Sequence, residues 1–305
     1  MLPILKPNPL VQLMKHAFLI YAHEEPLVLH TLLRLLDHER NEIFLHLDPR
    51  NSVLPSVLSP SPLSRAKLHL LTPAQRVSWG DYSQIEVELR LFAQALQVGP
   101  FAHYHLISGV DLPIKPMAEI HAFFDAHPTT EFLGFWNDEV HQRDLERRTH
   151  RYYFFTQYLK RAPHKWRHRF TVPLRNVSLA AQKIINYRRY RQQQFYKGFN
   201  WCSLTHDCVT WLLEQQTWIQ HTFRHMLAPD EIYKQTLIAA SPFAKNIYDR
   251  NDPERGTMRR IDWTRGRPYV WQTADIDELM AIPHLFARKF DAPTAIALAQ
   301  RLELA

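Results

Sequence analysis

A side chain that removes a proton needs a partly dry setting, and one that steadies a charged leaving group needs company of opposite sign. Glu231, in the stretch APDEIYKQTL, has Phe199, Trp201 and Tyr233 as aromatic company. Such rings would partly desolvate a carboxylate and raise its pKa, as a general base requires. Asp230 and Glu231 also open a predicted helix, where acids favour the dipole without any catalysis, so spacing leaves both readings open. Lys289 and Arg288 stand between Leu285-Phe286 and Phe290, and Arg265 and Arg267 lie upstream on a Gly-containing loop. Two or three such cations, if they converge, would hold a diphosphate without a metal, Arg through its fork and Lys as a point charge. Unconnected surface charges are the other reading.

Other chemistries lack their signatures. There is no GxGxxG and no GxxxxGK[ST], which disfavours dinucleotide enzymes and P-loop ATPases. Eighteen histidines invite a metal reading, with His221/His225 and His164/His168 each at i, i+4. No HExxH or Cys–His cluster accompanies them, so chance pairs in a His-rich chain explain them better. Asp275-Ile-Asp277 matches an Asp-x-Asp metal pattern, yet it too sits at a helix start.

The elements that must position these groups are readable from periodicity. An apolar run at 15–22 reads as a strand, 27–36 as a helix with a leucine face, and 42–47 as a second strand ending at Asp48. This βαβ opening implies a right-handed crossover and a parallel pair. Residues 49–64, rich in Pro and Ser, read as a loop, followed by a short strand at 67–71 and an amphipathic helix at 82–96. The run Tyr104–Ile107 is a buried strand that breaks at Ser108-Gly109 and delivers Asp111 and Lys115 on a short loop held by Pro113 and Pro116. Strand, polar loop and helix (117–125) form the arrangement in which open α/β sheets bind ligands. Strands at 131–136 and 198–204, helices from 205, 228 and 276, a short strand at 260–263 and a last helix at 294–302 complete the pattern. The expectation is an α/β fold in one domain, residues 1–305, with no repeat and no linker.

Composition narrows the classes further. Forty-six per cent apolar residues supports a sizeable core, and seven glycines against 21 prolines exclude a flexible or collagen-like chain. No run of 18 apolar residues is present, and the N-terminus lacks the order of a signal peptide, so a cytoplasmic location is expected. Cys202 and Cys208 are too few for a disulfide framework; buried free thiols are favoured over a single bridge. The net charge of +7 is concentrated between Arg143 and Lys197. Nucleic acid, an anionic membrane and phosphorylated small molecules all fit that sign. A basic nucleic-acid-binding protein is the rival from another class, but no helix-turn-helix, RNA-recognition or zinc-finger signature is present.

Eight stretches in order (AFLIYAHEEP, IFLHLDPRN, VSWGDYS, HLISGVDLPIKP, GFNWCSL, APDEIYKQTL, IDWTRGRPYVW and HLFARKFD) resemble the core-2/I-branching N-acetylglucosaminyltransferase family, which also contains the peptide O-xylosyltransferases. The resemblance runs over roughly residues 15–295. It implies a GT-A type nucleotide-sugar domain with a mostly parallel central sheet flanked by helices, a nucleotide-binding half at about 15–136 and an acceptor and catalytic half at about 137–305. It also implies an inverting transferase that takes N-acetylglucosamine, or a related sugar such as xylose, from a UDP-sugar to a glycan hydroxyl without a metal cofactor. On this resemblance Glu231 is the catalytic base, and Lys289 with Arg267, or Arg265, replaces the metal on the diphosphate. Asp48 contacts the uridine, and His23, Trp79, Asp111 and Lys115 fall at the donor. Arg147, Arg151 and Trp201 fall at the acceptor, with Arg148 beside them. Eukaryotic members carry a membrane anchor and many cysteines, and the chain shows neither, which implies a bacterial, cytoplasmic member. Its basic middle segment would rest against an anionic inner membrane near a lipid-linked glycan acceptor. A metal-dependent transferase using Asp275 and Asp277 is the enzyme alternative.

Overall fold

The computed structural model describes residues 14–159, 165–266 and 268–304, with residues 165–168 by backbone alone. Seven consecutive residues, His16–Ala22 (β1), are all buried, as a strand covered on both faces must be. The two-residue period sends Ala17, Leu19 and Tyr21 into one core and Phe18, Ile20 and Ala22 into the other. Burial of each large apolar side chain contributes about 1.5–3 kcal/mol, so a one-residue slip would reverse both faces and lose most of that.

From β1 the chain passes through α1 (Pro26–Leu35) to β2 (Asn41–Leu47), β3 (Lys67–Leu70), α2 (Ser83–Val98) and β4 (His103–Ser108). Pro26 suits the first helical position because its φ is preset and its missing N–H is an orphan there anyway. The four strands are parallel. After β5 (Asp111–Pro113), α3 (Met117–Asp125) and β6 (Phe132–Leu133) come α4 (Glu139–Thr149) and α5 (Lys165–Ile184). Then follow β7 (Cys202–Thr205), α6 (His206–Glu214), α7 (Gln216–Phe223), a 3-10 turn at Pro229–Glu231 and α8 (Tyr233–Ala239). The chain finishes with α9 (Pro253–Thr257), β8 (Arg259–Ile261), α10 (Ile276–Ala281), β9 (Phe286–Arg288) and α11 (Ala292–Glu303).

The main sheet has the order β3-β2-β1-β4-β7-β6, and β7 runs antiparallel to both its neighbours. The chain leaves β1 towards β2 on one side and later adds β4 on the other. The carboxyl ends of β1 and β4 therefore flank a topological switch point, where open sheets bind ligands. Helices α2, α6 and α8 cover one face, and α1, α3 and α11 the other. A second sheet, β5-β9-β8, stands beside that switch point.

Three expectations change. Asp111 does not lie on a loop: it begins β5, where it pairs with Arg288 of β9. The strand expected at 198–204 begins only at Cys202, because the backbone before it is pressed against a neighbouring segment; a Cβ on Gly198 would sit 1.8 Å from the Gly134 carbonyl oxygen. The strand expected at 131–136 is reduced to Phe132–Leu133 by the same crossing.

Many of the histidines are core residues. His16, His103, His105 and His121 are buried together at the amino ends of β1 and β4, with His16 and His105 rings stacked at 5.3 Å. His16 Nδ1 meets His105 Nε2 at 3.0 Å, and His121 Nε2 meets Asn41 Oδ1 at 2.8 Å. Burial first, then neighbouring cationic groups, push the pKa of His121 down to about 4 and that of His16 well below the usual value. His225 packs on Phe154 while His221 is exposed; His164 lies outside the described residues. Cys202 and Cys208 are buried free thiols.

Candidate active site

Where β1, β2 and β4 end, the chain collects charge. His23 and Glu24 follow β1, Asp48 follows β2, and Ser108 closes β4. Strand β9 brings Arg288 and Lys289 to the same place. Lys289 Nζ lies 3.0 Å from Glu24 Oε1, and His23 Nε2 lies 3.5 Å from that oxygen. Burial works against ionising Glu24, but the hydrogen bond from Lys289 and the charge of His23 outweigh it and lower its pKa. His23 is lowered by burial first; Glu24 and Asp48 oppose the shift, while Arg288 and Lys289 add to it. Asp48 is buried and accepts from Arg50 Nε at 2.9 Å and Val77 N at 3.1 Å. Burial alone would raise its pKa, but these bonds outweigh it and hold the pKa below the usual carboxylate value.

Arg288 is built in rather than loose. Its Nη1 donates to Asp111 Oδ1 at 2.6 Å and to the Ser108 hydroxyl, and Asp111 also accepts from Ser108 N at 2.8 Å. The guanidinium carbon lies 4.8 Å from the Trp201 ring centre, and that ring packs on Tyr21 at 5.3 Å. Trp201 is buried and forms a platform under Arg288.

Glu231 ends the 3-10 turn that precedes α8. Ala228 enters that turn with φ +45, a left-handed geometry that costs a non-glycine residue about 1 kcal/mol and is found where surrounding structure enforces it. Gly80 O accepts from Ala228 N at 2.9 Å, and Gln84 joins the two segments by accepting from Gly80 N at 2.6 Å and donating to Asp230 Oδ2 at 3.0 Å. Asp230 is buried, and desolvation, helped by Glu231 and Glu88, pushes its pKa up to about 8. Behind it lies a buried polar clasp. Glu88 accepts from Lys234 Nζ at 2.6 Å, Tyr233 Oη at 2.7 Å and Asn200 Nδ2 at 2.7 Å, and Asn200 also donates to Tyr21 Oη at 2.9 Å.

The immediate partners of Glu231 are cations, which corrects the expected aromatic setting. Arg148 Nη1 lies 2.7 Å from Glu231 Oε2, and Lys197 Nζ lies 3.8 Å from the same oxygen. Asp144 holds both cations, at 2.7 Å each, and Arg147 as well. Tyr233 turns its hydroxyl to Glu88, away from Glu231. Lys197, Asp144 and Glu24 are the groups that the sequence did not single out, and Arg148, expected only at the acceptor, is the cation bonded to Glu231. The one local signal was the i, i+4 spacing of Asp144 and Arg148 on α4.

The remaining sequence-derived residues are spread out. Lys115 Nζ donates to Met280 O at 2.5 Å and so caps the carboxyl end of α10. Arg265 is paired with Asp262, Asp275 and Glu278, so its charge is already satisfied. Arg267 lies outside the described residues. Trp79 is half exposed in the turn whose Gly80 supports Ala228. Arg147 is bound to Asp144, and Arg151 follows α4 with its Nε lacking a hydrogen-bond partner among the described residues. Asp275 accepts from Gln272 N and Arg265, whereas Asp277 pairs with Arg301, so the two carboxylates serve separate partners. Among the described residues, no group of three or more His, Cys, Asp or Glu is arranged to hold a metal ion.

An open, mostly parallel sheet flanked by helices, with charged groups gathered at its switch point, defines an α/β protein. The family described as Core-2/I-Branching enzyme matches residues 16–280. The chain therefore belongs to the core-2/I-branching enzyme family. It is 23% identical over 297 residues to xylosyltransferase 2 of Canis lupus familiaris, covering 90% of this chain and 32% of that protein. It thus spans about a third of that relative's length. It is similar, with a TM-score of 0.40 and 13% identity, to the crystal structure of mouse xyloside xylosyltransferase 1 in its apo form, over 90% of this chain and 96% of that one.

Proposed function

We propose that the protein is an inverting, metal-independent transferase of the GT-A type. It moves N-acetylglucosamine, or a related sugar such as xylose, from a UDP-sugar to a hydroxyl of a glycan acceptor. Glu231 Oε2 is taken by Arg148, which leaves Oε1 facing the acceptor. Oε1 removes the hydroxyl proton as that oxygen forms its bond to the anomeric carbon; the bond from that carbon to the diphosphate breaks, and UDP departs with the electron pair. Lys289, beside Arg288, takes the developing charge on the diphosphate. Arg267 is the second cation that the family resemblance assigns to this role. Asp48 and His23 line the nucleotide side, and Arg148 orients the base while Asp144 keeps Arg148 and Lys197 in place.

The observation that carries this reading is the pairing of Lys289 with Glu24 at 3.0 Å on the rim of the switch point. A lysine held there by one partly exposed carboxylate can exchange it for a diphosphate. Similarity to a xylosyltransferase of Canis lupus familiaris keeps xylose among the donors. The same reading takes residues 1–305 as one domain and places the enzyme at the cytoplasmic side of a membrane in surface-polysaccharide synthesis, acting on a lipid-linked glycan. The test is a thermal-shift screen against UDP-N-acetylglucosamine, UDP-xylose and other UDP-sugars, with and without EDTA. Stabilisation by UDP and one UDP-sugar that survives EDTA is expected. No shift with any of them, or a shift abolished by EDTA, would overturn it.

A further inference from the structure

Helix α5 is turned inside out. A surface helix normally buries its apolar stripe and shows its polar face to water. Along α5, Phe170, Leu174, Val177 and Ile184 share one face at helical spacing, and their exposures are 70%, 55%, 64% and 84%. Ile185, just past the helix, continues the stripe at 71% exposed. The half-buried side is mixed, with Thr171, Arg175, Ser178 and Gln182 beside Val172 and Leu179, and Gln182 clamps Tyr152 by accepting from its N at 2.8 Å and donating to its O at 3.1 Å. The inward side thus holds the helix to the protein largely through polar contacts, and the continuous apolar stripe is left facing outward.

The surrounding charge says what covers that face. Residues 147–206 carry fourteen Lys and Arg and no Asp or Glu. The rest of the chain, with 23 Lys and Arg against 30 Asp and Glu, is acidic on balance. A second copy packed face to face would bring two such cationic stretches together, neither holding a carboxylate of its own, which opposes dimerisation. An anionic bilayer satisfies both features at once: its acyl boundary takes the apolar stripe and its headgroups take the flanking cations. No helix among the described residues is long and apolar enough to cross a membrane, so α5 lies in the interface plane.

We infer that α5 is an in-plane anchor that inserts Phe170, Leu174, Val177, Ile184 and Ile185 into a bilayer containing anionic phospholipid. This deepens the peripheral membrane contact of the proposed function by giving it a face and a mode. Tyr152 stacks on Phe154 at 5.8 Å and on Tyr187 at 5.9 Å, so an aromatic group stands at the carboxyl end of the helix, at the depth where tyrosines favour the interface.

The test is co-sedimentation of the full chain with phosphatidylcholine vesicles, with and without phosphatidylglycerol, alongside sedimentation velocity without lipid. The native chain should bind the anionic vesicles and be released by high salt. Leu174→Asp combined with Val177→Asp should weaken that binding on the order of tenfold or more, while activity on a soluble acceptor stays unchanged. Negligible binding of the native chain, equal binding to neutral vesicles, or unaltered binding of the double variant would overturn the inference. So would a lipid-free dimer that the double variant dissolves, which would assign the face to a second copy. Vesicle binding is read without any sugar donor, so its failure leaves the glycosyl-transfer reading standing, and failure of donor binding leaves the anchor standing.

Discussion

Glu231→Gln removes a proton acceptor while keeping the side chain's shape. Arg148 sits 2.7 Å from Oε2, and an amide oxygen can take that position. Asp144 still holds Arg148 and Lys197 at 2.7 Å each, so the cations keep a partner. Glu231 is partly exposed, and solvent screening limits the lost ion pair to about 1 kcal/mol. At this chain length that lowers the melting temperature by about 2 °C. Loss of a general base costs on the order of 10²–10⁴ in rate, about 2.7–5.5 kcal/mol of barrier. The expected signature is therefore a fall in kcat of two to four decades with a nearly native melting curve and unchanged affinity for UDP. Steady-state release of UDP gives kcat, and titration calorimetry with UDP gives the affinity. A kcat within about threefold of native would remove Glu231 from the role, as would a loss of turnover matched by an equal loss of UDP binding.

Lys289→Ala should weaken UDP binding about tenfold, the contribution of one charge-assisted contact at a partly exposed site, measured by calorimetry. Glu24→Gln should act in the opposite direction and tighten UDP a few-fold, because the carboxylate 3.0 Å from Lys289 competes with the diphosphate; weaker binding would show that Glu24 positions the lysine instead. Lys115→Met should cost about 1 kcal/mol of stability through the lost cap on Met280 O, with UDP affinity unaltered; a tenfold loss of affinity would return Lys115 to the donor site. Asp230 keeps its proton up to about pH 8, whereas the unfolded chain releases it near the ordinary value of 3.8. The folded state then holds the extra proton between those pH values, so stability falls as pH rises through that window. Asp230→Asn, which preserves the bond from Gln84, should flatten the fall in urea denaturation; an identical pH slope would refute the assignment.

The parallel half of the fold was legible because strands buried on both faces leave continuous apolar runs, as at β1 and β4. The region from Asn137 to Tyr196 was not, for a reason visible in α4 and α5. Helix α4 satisfies its own charges through Asp144, Arg147 and Arg148, and α5 turns its polar side inward, so periodicity there points away from the protein body. The motifs located Glu231, Asp48 and Lys289, but not what each one touches. Glu24 is 265 residues from Lys289, and Arg148 is 83 from Glu231; no local spacing encodes either approach. The short spacing of Asp111 and Lys115 did not show that the two part company, Asp111 to Arg288 and Lys115 to the end of α10. Part of the histidine abundance is a core feature: alternate positions of β4, His103 and His105, face a buried stack.

Glu88, with Lys234, Asn200, Tyr21 and Tyr233, locks four distant parts of the chain around charges shut off from water. Removing any one member strands a partner in a dry place, at a cost of about 3–5 kcal/mol where a charge is left alone. The spacing between the end of β1, the tryptophan platform and the turn that bears Glu231 is thus nearly immutable by single steps. New acceptor preferences have an easier route through the outward side of α4, at Glu139, Val140 and Arg143, where the side chains stand in solvent and a change costs little.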